Sequence, residues 1–382
     1  MRTMTPVAES TALRPTLLLA FELGQRTWKL GFTVGMGQRP RIRQIPAGAV
    51  GVLANEISRA KARLGLPSDA PVISCYEAGR DGFWLHRYLL AQEITNHVVD
   101  SSSIEVNRRA RRAKTDQLDL AGLLSLLARY VLGDRRAWRV VHVPTVIEED
   151  ARHLPRTLEA LTQDRTRLMS RLKSLLTTQG VSLPIDAQFL NRLEAAQLWD
   201  GTSLPPGLQE RVTRTWRQLQ EVDGQIRELK ALRLMQPANL TPATSHALAQ
   251  LLTMRAIGPI GASVLATEIF GWRRIRNRRE LGALVGLVPA PYQSGETDYD
   301  QGITRAGNAH VRRVIVQLAW GWIRHQPDSA LTRWYQQRFG GGGKRVRKIG
   351  IVALARKLLI ALWRYLETGV VPDCAQLKPM EV

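Results

Sequence analysis

Asp116 and Asp119 stand three residues apart in the run Arg108-Arg109-Ala110-Arg111-Arg112-Ala113-Lys114-Thr115-Asp116-Gln117-Leu118-Asp119. The leucines around and after them, Leu118, Leu120, Leu123, Leu124, Leu126 and Leu127, have helical spacing. On a helix, a step of three puts both carboxylates on one face, close enough to hold one ion. Two like charges side by side are unfavourable unless a cation sits between them. Arg108, Arg109, Arg111, Arg112 and Lys114, directly upstream, suit phosphates. Paired acids beside a basic strip point to metal-dependent chemistry on a nucleic acid. The alternative is a solvated helix face whose first-turn aspartates complement the helix dipole.

Two more acids occupy positions that such chemistry needs. Glu22 ends the apolar run Leu17-Leu18-Leu19-Ala20-Phe21, where a carboxylate is costly unless paired. Glu77 ends a second apolar run, Pro71–Tyr76. Sheet-based nucleases place metal-binding acids on the first strand, a later strand and a helix packed on the sheet. Glu22, Glu77, Asp116 and Asp119 would together make a Mg²⁺ site, since that ion takes carboxylate oxygens, waters and substrate phosphates. Singly, Glu22 or Glu77 reads equally as a strand-end residue reaching solvent.

The remaining candidates lie later in the chain. Ser294 precedes Gly295 in a polar loop, with Arg305, Arg312 and Arg313 downstream to neutralise a phosphate. A serine hydroxyl is a poor nucleophile without activation, and no histidine or lysine adjoins it. Ile257-Gly258-Pro259-Ile260-Gly261 resembles the turn of a helix-hairpin-helix, in which Gly258 and Gly261 would let helix amides meet a phosphate. An ordinary corner between helices explains it as well. Gly340–Gly343 followed by Lys344, Arg345, Arg347 and Lys348 reads as a flexible linker before a basic amphipathic helix. It is no phosphate-binding P-loop, because Arg338 and Arg345 occupy positions that motif reserves for glycine and for serine or threonine.

The elements that must carry these residues follow from periodicity. Thr16–Leu23, Trp28–Val34 and Arg41–Ile45 read as a three-strand meander. Val50–Leu64 reads as a helix, Pro71–Tyr76 as a strand, Phe83–Gln92 as a helix and Thr95–Val99 as a strand. That order predicts a mixed sheet flanked by helices. Leu154, Leu158, Leu161, Leu168, Leu172 and Leu175 form a heptad seam with Arg165 at the one missing position. Leu208, Val212, Trp216, Leu219, Val222, Ile226 and Leu229 form a second stripe, so an antiparallel coiled-coil hairpin is expected, interrupted over 180–207 by Gly180, Pro184, Gly201, Pro205 and Pro206. Residues 245–369 read as helical with one long polar loop. The expected domains are 16–145, 146–240 and 245–369, with a disordered tail at 1–15 and another tail at 370–382.

The chain has 382 residues and a formal net charge of +21, from 54 basic and 33 acidic side chains. That excess calls for a polyanionic partner, DNA or RNA, rather than a small acidic substrate. Cys75 and Cys374 match neither zinc spacing nor a disulfide framework, which is the usage of a reducing cytosol. No apolar run reaches membrane length, and residues 1–15 do not read as a signal peptide.

In this order the motifs resemble those of the DEDD transposases and Piv-type site-specific invertases of bacterial insertion sequences, whose elements encode a bridge RNA that guides recombination. The resemblance runs over about 16–369. It rests on the strand acid, Tyr76-Glu77-Ala78-Gly79, Lys114-Thr115-Asp116-Gln117-Leu118-Asp119, the glycine turn at 257–261, and Ser294-Gly295 with Gly302-Ile303-Thr304-Arg305-Ala306-Gly307-Asn308. It implies a RuvC-like (RNase H-like) α/β domain, a coiled-coil insertion and an all-α C-terminal transposase domain. It also implies that Glu77, Asp116 and Asp119 ligate Mg²⁺ and that Ser294 forms a covalent phosphoserine with DNA. The family's first acid is usually aspartate; Glu22 is longer by one methylene, which would shift the ion.

The function so implied is an RNA-guided DNA recombinase of an insertion sequence. Its partners would be donor and target DNA and a structured guide RNA. It would work in the bacterial cytoplasm as a dimer to tetramer, the acids of one subunit facing Ser294 of another. A hydrolytic RuvC-like junction nuclease, a protein-read invertase without RNA, and a binding protein that has lost chemistry are the alternatives.

Overall fold

The computed structural model describes residues 15–104, 116–235, 240–294 and 297–379; Ser102, Asp116, Gln117 and residues 233–235, 291–294 and 297–301 enter by their backbone alone. Residues 1–14 of the expected tail and the cations Arg108, Arg109, Arg111, Arg112 and Lys114 lie outside the described residues. The chain divides into two compact units, Met1–Val143 and Pro144–Val382.

The first unit is a five-stranded sheet with helices. Strands β1 (Leu17–Leu23), β2 (Thr27–Thr33) and β3 (Arg41–Pro46) precede helix α1 (Val50–Arg63). Strand β4 (Val72–Glu77), helix α2 (Trp84–Ala91), strand β5 (Thr95–Val99) and helix α3 (Asp116–Val131) follow. The strand order is β3-β2-β1-β4-β5. The meander strands are antiparallel, whereas β4 and β5 run parallel to β1. β1 has no polar residue before Glu22 because both its faces are covered. Leu17, Leu19 and Phe21 meet Leu53, Ile57, Leu85 and Leu89 of α1 and α2. Leu18 and Ala20 meet Leu120, Leu123, Leu124 and Leu127 of α3.

In the second unit a short helix, α4 (Val146–Asp150), is closed by a capping box between Thr145 and Glu148. Then come α5 (His153–Thr177), α6 (Phe189–Glu194) and α7 (Pro206–Met235). Leu158, Leu168 and Leu172 of the expected seam are buried, as are Val212, Trp216, Leu219 and Ile226 opposite. At the interrupted heptad position Arg165 Nε meets Asp223 Oδ1 at 2.6 Å, an ion pair across the seam. The arm is not the bare seam expected from its periodicity. Phe189 and Leu193 of α6, with Val181 and Leu204, close its far end into a small core in which the Phe189 and Trp216 rings lie 4.8 Å apart. Leu176 turns into that core and is more deeply buried than Leu175.

The C-terminal part comprises α8 (Pro242–Thr253), α9 (Pro259–Leu265), a one-turn π-helix at Ala266–Phe270, α10 (Arg278–Val285), strands β6 (Pro289–Ser294) and β7 (Thr297–Ile303), α11 (Ala309–His325), α12 (Ala330–Tyr335), a second π turn at Gln336–Gly340 and α13 (Lys344–Thr368). α8, α9, α11 and α13 share one core around Leu251, Leu265, Ile315, Trp322, Leu354 and Leu358. Two expectations are corrected here. The polar loop is a two-stranded antiparallel sheet, hidden in the sequence by Pro289 and Pro291 at a register irregularity. The tetraglycine is a tight corner rather than a flexible linker. Gly342 N donates to Phe339 O at 3.1 Å, and Phe339 lies so close to Gly350 that a Cβ there would sit 2.5 Å from Phe339 Cγ. Beyond α13 the chain returns to the α8–α9 turn. Arg255 N and Gln326 Nε2 donate to Gln376 O, and Lys378 Nζ donates to Leu252 O at 2.6 Å.

Candidate active site

Register alone brings two of the predicted acids together. Phe21 of β1 pairs with Tyr76 of β4, and one residue further along each strand carries a glutamate. Glu22 has the parity of Leu18 and Ala20, and Glu77 that of Ile73 and Cys75, so both belong to the face covered by α3. Adjacent strands lie about 4.8 Å apart, so the two residues leave the C-terminal ends of parallel strands as neighbours. The Cys75 thiol is pushed up by its burial and secondarily by the Glu77 carboxylate, which marks the charge on that face. Lys29 lies opposite Glu22 in register.

α3 lies across this face because β2 lacks a side chain beneath it. A Cβ on Gly31 would sit 2.9 Å from Leu120 Cγ and 2.8 Å from Leu124 Cδ1. Gly31 pairs with Ala20, two residues before Glu22. Asp119 adjoins Leu120 in the chain and is partly buried; Asp116 begins the helix one turn earlier. Among the described residues no three His, Cys, Asp or Glu side chains gather as a metal set, and the Asp116 side chain is not among them. The donors on the α3 face are carboxylate oxygens, which suit Mg²⁺.

Ser294 ends β6 and pairs with Thr297 across the hairpin tip. The base of the hairpin is clamped by main chain. Thr304 N donates to Val288 O at 2.9 Å, Arg305 N to Gly286 O at 3.2 Å, and Asn308 N to Leu284 O at 2.8 Å. The backbones approach so closely that only glycine fits. Gly286, at φ 68°, would place a Cβ 1.9 Å from Ala306 O. Gly307, at φ 81°, would place one 2.3 Å from Leu284 O. Arg312 Nη1 closes the clamp by donating to Val285 O and Ala306 O. Arg313 and His310 of α11 both contact Glu159 of α5. Arg305 is exposed, with its backbone in the left-handed region at φ 55°.

Asn308 caps α11 by accepting from Val311 N at 3.1 Å. Its Nδ2 donates at 2.9 Å to Glu268, a residue only 1% exposed on the first π turn. Arg156 of α5 holds both Glu268 oxygens, Nε at 2.6 Å and Nη2 at 2.9 Å. One carboxylate thereby ties the arm's base to the end of the serine hairpin. Arg273 is pushed down to about 10 by burial first and then by Arg152. These two guanidinium groups lie 4.2 Å and 5.2 Å from the Trp272 ring centroid. Sequence reasoning missed Glu268, although the signal was present. It is the one acid in the apolar run from Ala262 to Phe270, the argument already applied to Glu22.

The other phosphate-binding candidates divide. Gly258 is exposed at the N-terminus of α9, whereas Gly261 is buried, its absent Cβ 2.8 Å from Leu318 Cδ2 of α11. Gly261 therefore serves helix packing. Lys344, Arg345, Arg347 and Lys348 are all exposed on the first turns of α13.

Residues 248–334, which include Glu268, Ser294 and Asn308, match the transposase IS116/IS110/IS902 family. A Sinorhizobium fredii protein, y4rJ, named as a transposase, is 40% identical over 385 aligned positions, 96% of this chain and 97% of that one. The chain belongs to the IS116/IS110/IS902 transposase family. More distant relatives of this transposase include the transposase for insertion sequence element IS1328 of Yersinia enterocolitica, 28% identical over 57% of this chain and 63% of that one. Another, for element IS1111A of Coxiella burnetii, is 22% identical over 61% of this chain and 62% of its own. The family match lies within the second unit of the transposase, around the clamped hairpin. Among the described residues, no helix of this transposase is long and apolar enough to cross a membrane.

Proposed function

We propose that this transposase is an RNA-guided DNA recombinase of an insertion sequence, cutting and rejoining strands through a phosphoserine at Ser294. The observation that carries the reading is the placement of Glu22 and Glu77 at the ends of neighbouring parallel strands, on the face crossed by the helix that opens with Asp116 and Asp119. The strand order β3-β2-β1-β4-β5 supports a RuvC-like (RNase H-like) assignment. Glu22, Glu77, Asp116 and Asp119 would hold Mg²⁺. Bound there, the ion would neutralise charge on a scissile phosphate and favour loss of a hydroxyl proton.

The chain's own groups account for the rest. The clamp between 284–288 and 304–308 holds the base of the hairpin whose first strand ends at Ser294. Its Oγ forms a bond to phosphorus as the bond to the departing strand breaks. The serine gives up its proton and the departing oxygen takes one. The new ester conserves the phosphodiester's energy, so strands rejoin without ATP. Exposed cations at Arg305 and along the start of α13 would hold phosphodiester backbones of donor DNA, target DNA and a structured guide RNA. Target choice would then rest on base pairing. Strand exchange needs two duplexes, hence a homo-oligomer of two to four subunits.

The test is a DNA substrate interrupted at the cleavage site. Wild-type protein with Mg²⁺ should give a protein–DNA species that survives boiling in detergent, and Ser294→Ala should give none. Asp119→Ala and Glu77→Ala should lower its yield on the order of 10³-fold while leaving binding in place. Free ends without an adduct would make the protein a hydrolytic nuclease. Copurifying RNA whose removal leaves site recognition unchanged would make it a protein-read invertase.

A further inference from the structure

The sheet face opposite the acids carries a second organised set of charges. Between Met36 and Arg63 there are six basic side chains and one acid, Glu56. Arg43 pairs with Leu30 and Arg41 with Phe32 in register. Leu30 and Phe32 belong to the core under α1, so these arginines stand on the α1 side of the edge strand β3. Glu22, paired with Lys29, has the opposite parity and belongs to the α3 side.

Glu56 of α1 is buried, 8% exposed, and faces three guanidinium groups. Arg59 Nη1 donates to its Oε1 at 2.9 Å. Its Oε2 lies 3.6 Å from both Arg41 Nη2 and Arg43 Nε. The side chains of Arg41, Arg43 and Arg59 are 19%, 50% and 69% exposed, so the group opens outward from the buried acid. One carboxylate orients three cations and neutralises one, leaving two positive charges at the sheet edge. Charge on an edge strand also deters pairing with other sheets. Any cation would do that, and nothing in that role draws Arg59 of α1 beside the strand arginines.

Planar guanidinium forks suit the paired oxygens of a phosphodiester. Arg41 and Arg43 are two residues apart on the strand, about 6.7 Å, a spacing near that of successive phosphates in an extended strand. We propose that Arg41, Arg43 and Arg59, held by Glu56, bind the phosphodiester backbone of a nucleic-acid strand other than the one being cut. The inference rests on the recombinase reading for the identity of the cut strand, and the site itself can be measured without it.

The experiment uses the full chain and two labelled probes of mixed sequence, a DNA duplex and an RNA hairpin, with affinity followed across salt concentrations. In Arg43→Glu/Arg59→Glu, both positions exposed enough to spare the fold, the slope of log affinity against log salt should become shallower by about 0.7–0.9 per lost phosphate contact. The probe whose slope changes identifies the strand as DNA or RNA. In Arg43→Lys/Arg59→Lys the slope should hold while affinity falls about fivefold, because charge remains and the forks are lost. Unchanged slopes on both probes in the Glu variant would overturn the site. Full affinity in the Lys variant would overturn it too, leaving only a diffuse positive field. A thermal melt of each variant checks that the chain is folded. The Ser294 adduct is assayed on the same wild-type protein. Loss of that adduct with the slope effect present defeats the recombinase reading alone, and the converse defeats this site alone.

Discussion

On the sheet, Glu22 and Glu77 are set side by side by regular register, strand against strand, and α3 is laid over them by leucines at helical spacing. At the serine hairpin the positioning is irregular throughout. Left-handed glycines, main-chain bonds between segments 284–288 and 304–308, a π turn and one buried carboxylate hold its base. A ladder distributes its load over many equivalent bonds, so a single defect is absorbed. A clamp made of a few unlike contacts has no such reserve. The two regions should therefore respond very differently to small substitutions.

The largest effect is expected at Gly286. Alanine there must adopt a left-handed backbone and place its Cβ against a carbonyl oxygen that cannot move without opening the clamp. Gly286→Ala should cost more than about 3 kcal/mol in chemical denaturation and lower the yield of Ser294 adduct with it. A stability loss below about 1 kcal/mol would mean the clamp is slack.

Glu268→Ala comes next. It removes three charge-assisted hydrogen bonds and leaves the Asn308 amide without its acceptor. Arg156 is half-exposed and can turn to water, which discounts the loss to about 2–3 kcal/mol. Glu268→Gln, which keeps an acceptor for Asn308, should retain part of the adduct yield. Equal yields in the Ala and Gln variants would show that Glu268 does not act through Asn308.

The smallest effect is expected on the sheet. Gly31→Ala meets side-chain carbons, Leu120 Cγ and Leu124 Cδ1, rather than a backbone oxygen, so a small shift of α3 can relieve the contact, and the stiffer unfolded chain offsets part of the strain. It should cost about 1 kcal/mol by urea midpoint and leave the hairpin untouched. A cost above that of Gly286→Ala would reverse the comparison.

Much of the sheet unit was legible because its signals are local and periodic. The apolar runs at Leu17–Phe21 and Val72–Tyr76 announce strands buried on both faces, and the leucines after Asp119 announce a helix. The same periodicity located the arm but not its far end. Phe189 and Leu193 lie in a stretch broken by proline and glycine, and their packing on Trp216 depends on how the chain folds back. Residues 289–294 read as loop because Pro289 and Pro291 erase the alternation of a strand, yet antiparallel pairing with residues 297–303 makes them one. Arg312 and Arg313 read as phosphate neutralisers by type and position; that Arg312 also donates to carbonyl oxygens and that Arg313 meets Glu159 depends on the fold.

The sequence by itself determined the order of strands and helices in the sheet unit, the excess of positive charge, and the candidate acids and serine. Residue type and spacing carry that information over a few neighbouring positions, where a side chain's preference for strand, helix or water acts directly. Only the tertiary structure decided that Glu22 and Glu77 are neighbours on one face, that Glu56 gathers three arginines on the other, and that Glu268 joins Arg156 to Asn308 across 112 and 40 residues. Such pairings arise because a buried carboxylate must find partners wherever the fold brings them, and nothing local in the chain states which partners those will be.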